Sequence, residues 1–401
     1  MNQRDLFFRH VGQTSQSPLG LEVKYAEGIY LYDKAGKSYI DLMSGVSVSN
    51  IGHRHPKVVE AIKAQADKYL HLMVYGEYIQ TPQVQLAKLL SDVLPPKIES
   101  IYFVNSGSEA IEGALKLAKR ATGRFNIVSC KNAYHGGTHG ALSVMGDEIM
   151  RNSFRPLLPG IRQIDFNVPE QLSAIDNRTA CFLLEPIQGE GGIIIPDKEY
   201  IKLARRRCNE TGTLLIFDEI QTGFGRTGTL FAAEYFETEP DIICMAKAMG
   251  GGMPIGAFAA SHNLMNQLTF NPTLGHITTF GGHPVSCAAA IASLSVIIEE
   301  KLAEKSVAKG EMFVNLLKHH TIKEIRGKGL FLAVDLIKEI NIFELMSEAM
   351  NHGIMIDPFL FRPNAFRIAP PLTITESEIK EACEKIVKTL DIISNKISKN
   401  N

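Results

Sequence analysis

Leu214-Leu-Ile-Phe-Asp218-Glu219-Ile-Gln221-Thr-Gly223-Phe-Gly225-Arg226-Thr-Gly228 reads as a short apolar strand that ends in two carboxylates and enters a glycine-rich turn. A strand without polar alternation has both faces covered, as in a sheet lying between helices. Similar runs are Ile101-Tyr-Phe-Val104, Cys181-Phe-Leu-Leu184 and Ile242-Ile-Cys244. Helical patterns lie between them. One runs from Glu109 to Arg120, with Ser106 or Ser108 as cap and Gly123 as stop, and another from Lys198 to Glu210. The alternation predicts an α/β domain with a mostly parallel sheet. Ligands of such sheets sit beyond the carboxyl ends of the strands. Asp218 at one of those ends needs a cationic partner, since an unpaired buried carboxylate is costly. A helix cap or a structural ion pair would also account for it.

A second element is Asp241-Ile-Ile-Cys-Met-Ala-Lys247-Ala-Met-Gly250-Gly-Gly252. Most lysines are solvated. This one closes a buried strand and precedes a mobile loop of three glycines. A desolvated lysine loses its charge readily and attacks carbonyls. The turn Gly223-Phe-Gly225-Arg-Thr-Gly228 formally matches the G-x-G-x-x-G pattern of dinucleotide sites, with acidic residues near Asp241 at about the expected distance. Four polar or mixed residues separate the strand from its first glycine, however, and Thr229-Leu-Phe-Ala-Ala makes a poor phosphate-capping helix. Both features weigh against a nicotinamide cofactor.

The chain's 401 residues suit two domains of roughly 100–200 residues each. The expected division is a large α/β domain over 46–300 and a small split α+β domain from 1–45 and 301–401. In the small part, short strands are predicted around Tyr30–Tyr32, Tyr39–Ile40, Leu330–Leu336 and Phe366–Ile368. Helices are predicted near Ile342–Met350 and from Thr375. The formal charge of −1 includes no basic cluster, so a nucleic-acid partner is not expected. The uncharged stretch Gly281–Ile298 is mostly alanine and contains Gly, Pro, His and Ser. It reads as a buried helix, and no membrane association is expected. Six scattered cysteines without a CxxC pair point to reduced thiols, and the N-terminus shows no signal peptide. A cytoplasmic location follows as an expectation. The pairs His135/His139 and His53/His55 lack further ligands at metal spacing, so no metal is expected. There is no P-loop and no G-x-S-x-G elbow.

The ordered motifs together carry a family resemblance. Asp218-Glu-Ile-Gln-Thr-Gly-Phe-Gly-Arg-Thr-Gly, followed by Lys247 and its glycines, resembles the signature of class III (subgroup II) pyridoxal-phosphate aminotransferases, of acetylornithine, ornithine or 4-aminobutyrate type. Asn50-Ile-Gly-His-Arg-His-Pro56, Asn105-Ser-Gly-Ser-Glu-Ala110, Tyr134-His-Gly136, Glu185-Pro-Ile-Gln-Gly-Glu190, Thr278-Thr-Phe-Gly-Gly282 and Arg367-Ile-Ala-Pro-Pro-Leu372 extend it over nearly the whole chain.

The resemblance implies fold type I and pyridoxal 5'-phosphate as cofactor. Lys247 would carry the cofactor on its amine and move the substrate proton. Asp218 would pair with the pyridine nitrogen and keep the ring electron-withdrawing. Gln221 would lie near the ring oxygen and Tyr134 would stack on the ring. His135 and Glu185 belong to the same cofactor-binding set. Gly107 and Ser108, at a helix N-terminus, would bind the phosphate. They overlap a capping box, Ser106-x-x-Glu109, and both uses can hold together. Thr278 is assigned to substrate binding. Thr279 would reach the phosphate in a neighbouring subunit, which implies a homodimer with shared sites. Arg367 would bind a substrate carboxylate, and Glu190 would pair with it when an ω-amine is bound. For those two, a surface salt bridge is the alternative.

Two positions depart from the pattern. Gly137 stands where many relatives have an arginine for a second substrate carboxylate, with Arg54 and Arg362 as conceivable replacements. His283 stands where Asn is usual. The expected reaction is transfer of an amino group from an ω-amino acid or acetylornithine/ornithine-like donor to a keto acid such as 2-oxoglutarate. A 4-aminobutyrate-type aminotransferase and a glutamate-semialdehyde-type aminomutase are the alternatives.

Overall fold

The computed structural model describes residues 2–400. Seven strands form the central sheet, in the order Ser100–Val104, Gly256–Ala260, Ile242–Met245, Leu214–Asp218, Thr179–Leu184, Asn126–Cys130, Ile161–Ile164. All neighbours are parallel except Gly256–Ala260, which is antiparallel to both strands beside it. The apolar runs follow from where alternate residues point. Cys181, Leu183 and Ile216 enter one core cluster, while Phe182, Leu184, Leu215 and Phe217 enter another. The helix Gly107–Thr122 covers the first face with Ala110, Ile111, Ala114 and Leu117. The helix Lys198–Thr211 covers the second with Tyr200, Ile201, Ala204 and Cys208. Both sets follow the helical period, so each helix buries one stripe.

Ser106 is the cap of the first helix. Its hydroxyl accepts from Glu109 N–H (3.2 Å), and Gly123 ends the helix at φ +66. The reciprocal half of the predicted capping box is missing. The Glu109 carboxylate accepts from the backbone and side-chain amides of Asn105 instead, at 2.8 and 2.9 Å. The uncharged stretch forms the largely buried helix Pro284–Glu299, packed on Pro56–Ala66 and Thr81–Val93. Among the described residues no helix is long and apolar enough to cross a membrane. All six cysteines are buried and unpaired.

Two further sheets come from the ends of the chain. Val23–Glu27, Tyr30–Asp33 and Ser38–Asp41 form an antiparallel meander, and Ile354–Met355 adds in parallel to its last strand. Ile322–Lys328, Phe331–Leu336, Ala365–Ile368 and Asp357–Pro358 form an antiparallel sheet in that order. The largest apolar cluster joins Met245 and Leu294 to Ile354, Phe366 and Leu390.

The turn 223–228 is packed into this core. Phe224 meets Phe231 edge-on at 5.4 Å, and Arg226 is wholly buried. The Arg226 guanidinium donates to Leu330 O (3.0 Å), Pro370 O (2.5 Å), Ser44 Oγ (3.3 Å) and Asn50 Oδ1. One side chain thus ties the turn to segments near both ends of the chain. Burial pulls Arg226 down to about 9. Arg226→Met would leave these acceptors unpaired and should lower the unfolding free energy by about 3 kcal/mol or more. The denaturant midpoint checks this. A midpoint that stays put would mean that the four hydrogen bonds contribute nothing net.

Candidate active site

The carboxyl ends of the central strands converge on a cavity of about 430 Å³. Asp218 ends its strand, and Lys247 lies two residues past Met245. Glu185 follows Leu184, Tyr134 and His135 lie beyond Cys130, and Gly107 and Ser108 lie beyond Val104. All of them border the cavity.

Asp218 is buried. Its Oδ2 lies 2.7 Å from His135 Nδ1, and its Oδ1 accepts from Ile220 N–H at 3.1 Å. His135 is buried too, and its Nε2 has no hydrogen-bond partner. Glu185 accepts from Gly189 N–H (3.0 Å) and Tyr134 N–H (3.3 Å). Burial pushes the Glu185 carboxyl up to about 7, with His135 opposing and Asp218 adding. The second carboxylate of the opening stretch has a separate use. Glu219 is wholly buried and caps the helix Ala232–Phe236, accepting from Ala232 and Ala233 N–H at 3.0 and 2.8 Å.

Lys247 is half-buried, because it borders the cavity. The protein packed around it pulls its amine down to about 8, although Glu190 and Asp218 favour the charged form. Its backbone is left-handed, at φ +50. Gly251 and Gly252, at φ +58 and +105, then turn the chain back into Gly256–Ala260. At the other side of the cavity, the first intrahelical bond of Gly107–Thr122 is Ala110 N–H to Ser106 O. The N–H groups of Gly107 and Ser108 precede it, and the helix dipole adds positive potential there. Gly136 crosses Ser108 so closely that a Cβ would lie 2.1 Å from Ser108 Oγ, and Ser108 Oγ accepts from Gly137 N–H at 3.2 Å.

Arg367, on Ala365–Ile368, is buried. Its Nη2 donates to Glu190 Oε1 (2.7 Å) and its Nη1 to Gln221 Oε1 (3.1 Å). Gln221 Nε2 donates to Glu190 Oε1 at 3.1 Å and closes a triangle. The pair is therefore not a surface salt bridge. Burial opposes the charge on Glu190, but Arg367, Gln221 and Lys247 hold its carboxyl below the usual range.

The model of the class-III aminotransferase family matches residues 11–390. The chain belongs to that family. Among similar proteins, the acetylornithine aminotransferase of Methanosarcina mazei is 43% identical over 377 residues, covering 92% of each chain. That of Methanocaldococcus jannaschii is 39% identical over 385 residues, covering 93% of each. Among solved structures, an ornithine aminotransferase from Toxoplasma gondii superposes with TM-score 0.91 at 32% identity, covering 98% of this chain and 95% of that one. An amine transaminase from an uncultivated Pseudomonas species, in its pyridoxal-phosphate-bound form, superposes with TM-score 0.88 at 26% identity, covering 96% and 98%. The α/β fold is that of the pyridoxal-phosphate transaminases, and the enzyme depends on pyridoxal phosphate.

The residues present fit that cofactor. A helix N-terminus suits a phosphate, an amine of lowered basicity suits an aldehyde, and the buried Asp218–His135 pair suits a polar ring edge. His135 Nε2, buried and unpartnered, is one polar atom in the lining that a bound group can satisfy. In this aminotransferase Thr278 and Thr279 do not border the cavity. Thr278 Oγ1 accepts from Asn105 Nδ2 at 3.1 Å, and Thr279 is exposed. Gly137 is exposed, and a Cβ there would meet nothing within 4 Å. Neither conceivable replacement borders the cavity. Arg54 faces Glu27 at 3.7 Å, and Arg362 is bound to Asp335 at 2.5 Å. His283 precedes Pro284 and stacks on His71, with ring centroids 5.6 Å apart.

Sequence reasoning named His135 but missed its partner, and it missed Asp357 altogether. The pairing of His135 with Asp218 spans 83 residues and has no local signal. Asp357, 3.7 Å from Arg367, lies in a segment that carries none of the family motifs.

Proposed function

We propose that this aminotransferase takes its amino group from an ω-amino acid or an acetylornithine/ornithine-like donor and passes it to a keto acid, 2-oxoglutarate foremost. The observation that carries this reading is the buried Arg367–Glu190 pair. A free arginine fork suits a substrate carboxylate. With Glu190 in place the fork is masked, and an ω-amine with no carboxylate beside the reacting nitrogen meets a neutralised wall. The relatives named acetylornithine and ornithine aminotransferases support the donor class.

When bound, pyridoxal phosphate supplies an aldehyde that captures the amine and a ring that withdraws electrons from the reacting carbon. Lys247 would hold the cofactor and move the proton at that carbon. Asp218, oriented by His135, would present its charge to the ring nitrogen. Gly107 and Ser108 would hold the phosphate, Tyr134 would cover the ring, and Glu185 and Gln221 would complete the lining. Thr279 would reach the phosphate from a second copy, and Thr278 would serve the substrate. Ile79 at 96% exposure, with the exposed Tyr78 and Val84 nearby, supports a homodimer that covers this face. Residues 46–300 would form the cofactor domain and 1–45 with 301–401 the small split domain. Six reduced thiols support a cytoplasmic location.

The test is a half-reaction screen of acetylornithine, ornithine, 4-aminobutyrate and glutamate, each read as loss of the bound cofactor's visible absorption. Acetylornithine or ornithine should react fastest. Turnover of glutamate semialdehyde without a keto acid would replace this reading by an aminomutase. A pH prediction accompanies it. The Lys247 amine is charged below about 8 and neutral above. Uptake of pyridoxal phosphate by cofactor-free enzyme should therefore quicken about tenfold per pH unit towards that value and level off beyond it. A rate still climbing at pH 10 would contradict the lowered value.

A further inference from the structure

Arg367 meets a second carboxylate that the transamination scheme leaves unused. Asp357 is its cross-strand partner, and Asp357 Oδ2 lies 3.7 Å from Arg367 Nε. Glu190 and Gln221 occupy the terminal nitrogens, so Asp357 sits on the remaining edge. Arg367 Nε and Asp357 Oδ1 are both buried without a hydrogen-bond partner. The residues that follow clamp the same pair. The Phe359 ring lies 4.8 Å from the guanidinium carbon. Leu360 N–H donates to Glu190 Oε2 (3.2 Å), and Phe361 N–H donates to Glu190 O (3.1 Å).

We propose that Asp357 is a specificity-determining residue, which weakens the binding of substrate carboxylates by keeping a second negative charge against Arg367. The inference rests on Arg367 being the carboxylate anchor, as proposed above. A carboxylate that displaces Glu190 does not displace Asp357, whose strand is paired to that of Arg367. Arg367 already faces Glu190 and Asp357, so an incoming carboxylate is a third negative group beside one guanidinium, which like-charge repulsion disfavours unless one of them takes a proton. Burial already pushes Asp357 up to about 6 against the pull of Arg367, and Glu190 and Asp41 add to the rise. On the helix packed against this strand, Ile342–Asn351, Glu348 is paired with Lys396 and His352, and Glu344 is exposed. The enzyme is thereby biased towards donors whose reacting end carries no carboxylate.

The test is calorimetric titration of the holoenzyme with glutarate, a dicarboxylate with no amino or keto group, at pH 8 and pH 6. Asp357→Asn removes the charge and keeps the shape, and it should bind glutarate about tenfold more tightly at pH 8 than the unaltered enzyme. Asp357→Ala, which needs no new hydrogen bond, should show the same gain. Lowering the pH protonates Asp357, so binding by the unaltered enzyme should tighten towards pH 6 while both variants change less. Equal affinities, or one pH dependence for all three proteins, would overturn the role of Asp357. Arg367→Ala separates the two levels. If it binds glutarate as tightly as the unaltered enzyme, the anchor reading fails and the role of Asp357 fails with it.

Discussion

Lys247→Ala is expected to lower kcat by about four orders of magnitude or more, because it removes the group proposed both to hold the cofactor and to move the substrate proton. Among the described residues it is the one lysine or arginine bordering the cavity. The borohydride-trapped adduct should vanish from the mass spectrum of the variant. Its circular dichroism and melting point should stay close to those of the unaltered enzyme, since alanine keeps the Cβ and removes a half-buried chain. Turnover reduced by less than about a hundredfold would mean that another nucleophile does the chemistry. The residue's φ of +50 adds a second expectation. A non-glycine residue in that region costs about 1 kcal/mol or more, so Lys247→Gly should be the more stable of the two inactive variants.

Asp218→Asn should lower kcat by about a thousandfold, the scale seen when one preorganised charge is removed from a closed site. Asparagine keeps the shape and can still face His135, but it carries no charge for a protonated ring nitrogen. The paired measurement is the cofactor's visible absorption, which should shift if the ring loses its proton. A loss of kcat without a spectral change would place the role of Asp218 elsewhere. Glu219→Gln, one residue on, provides a contrast. Its carboxyl accepts two helix N–H groups away from the cavity, so its cost should fall on stability.

Much of this was legible because sheet burial leaves a direct signature. Cys181–Leu184 and Leu214–Phe217 are apolar throughout because successive residues enter different cores. Three central strands carried weaker signals. Gly256-Ala-Phe-Ala-Ala260 is built of small residues with low strand propensity and is held by two antiparallel neighbours. Asn126–Cys130 and Ile161–Ile164 mix polar and apolar residues. At the site, the motif-bearing residues around Lys247 come together, whereas Thr278 and Thr279 stay outside the cavity of a single chain. Arg226 was read as part of a glycine motif, and its four acceptors are 104–182 residues away, beyond the reach of any local pattern.

The parallel pairing of Ile354–Met355 with Ser38–Asp41 bears on how the chain is made. Beside it, Lys37 Nζ reaches the carbonyl of Asn351, 314 residues further on. During translation at about 5–20 residues per second, the early meander waits on the order of tens of seconds for its last strand. Throughout that time one edge of Ser38–Asp41 offers unsatisfied amide groups to any passing strand. Slow synthesis or ribosome stalling before residue 354 should therefore favour aggregation, and chaperone occupancy of nascent chains should persist until the C-terminal segment emerges.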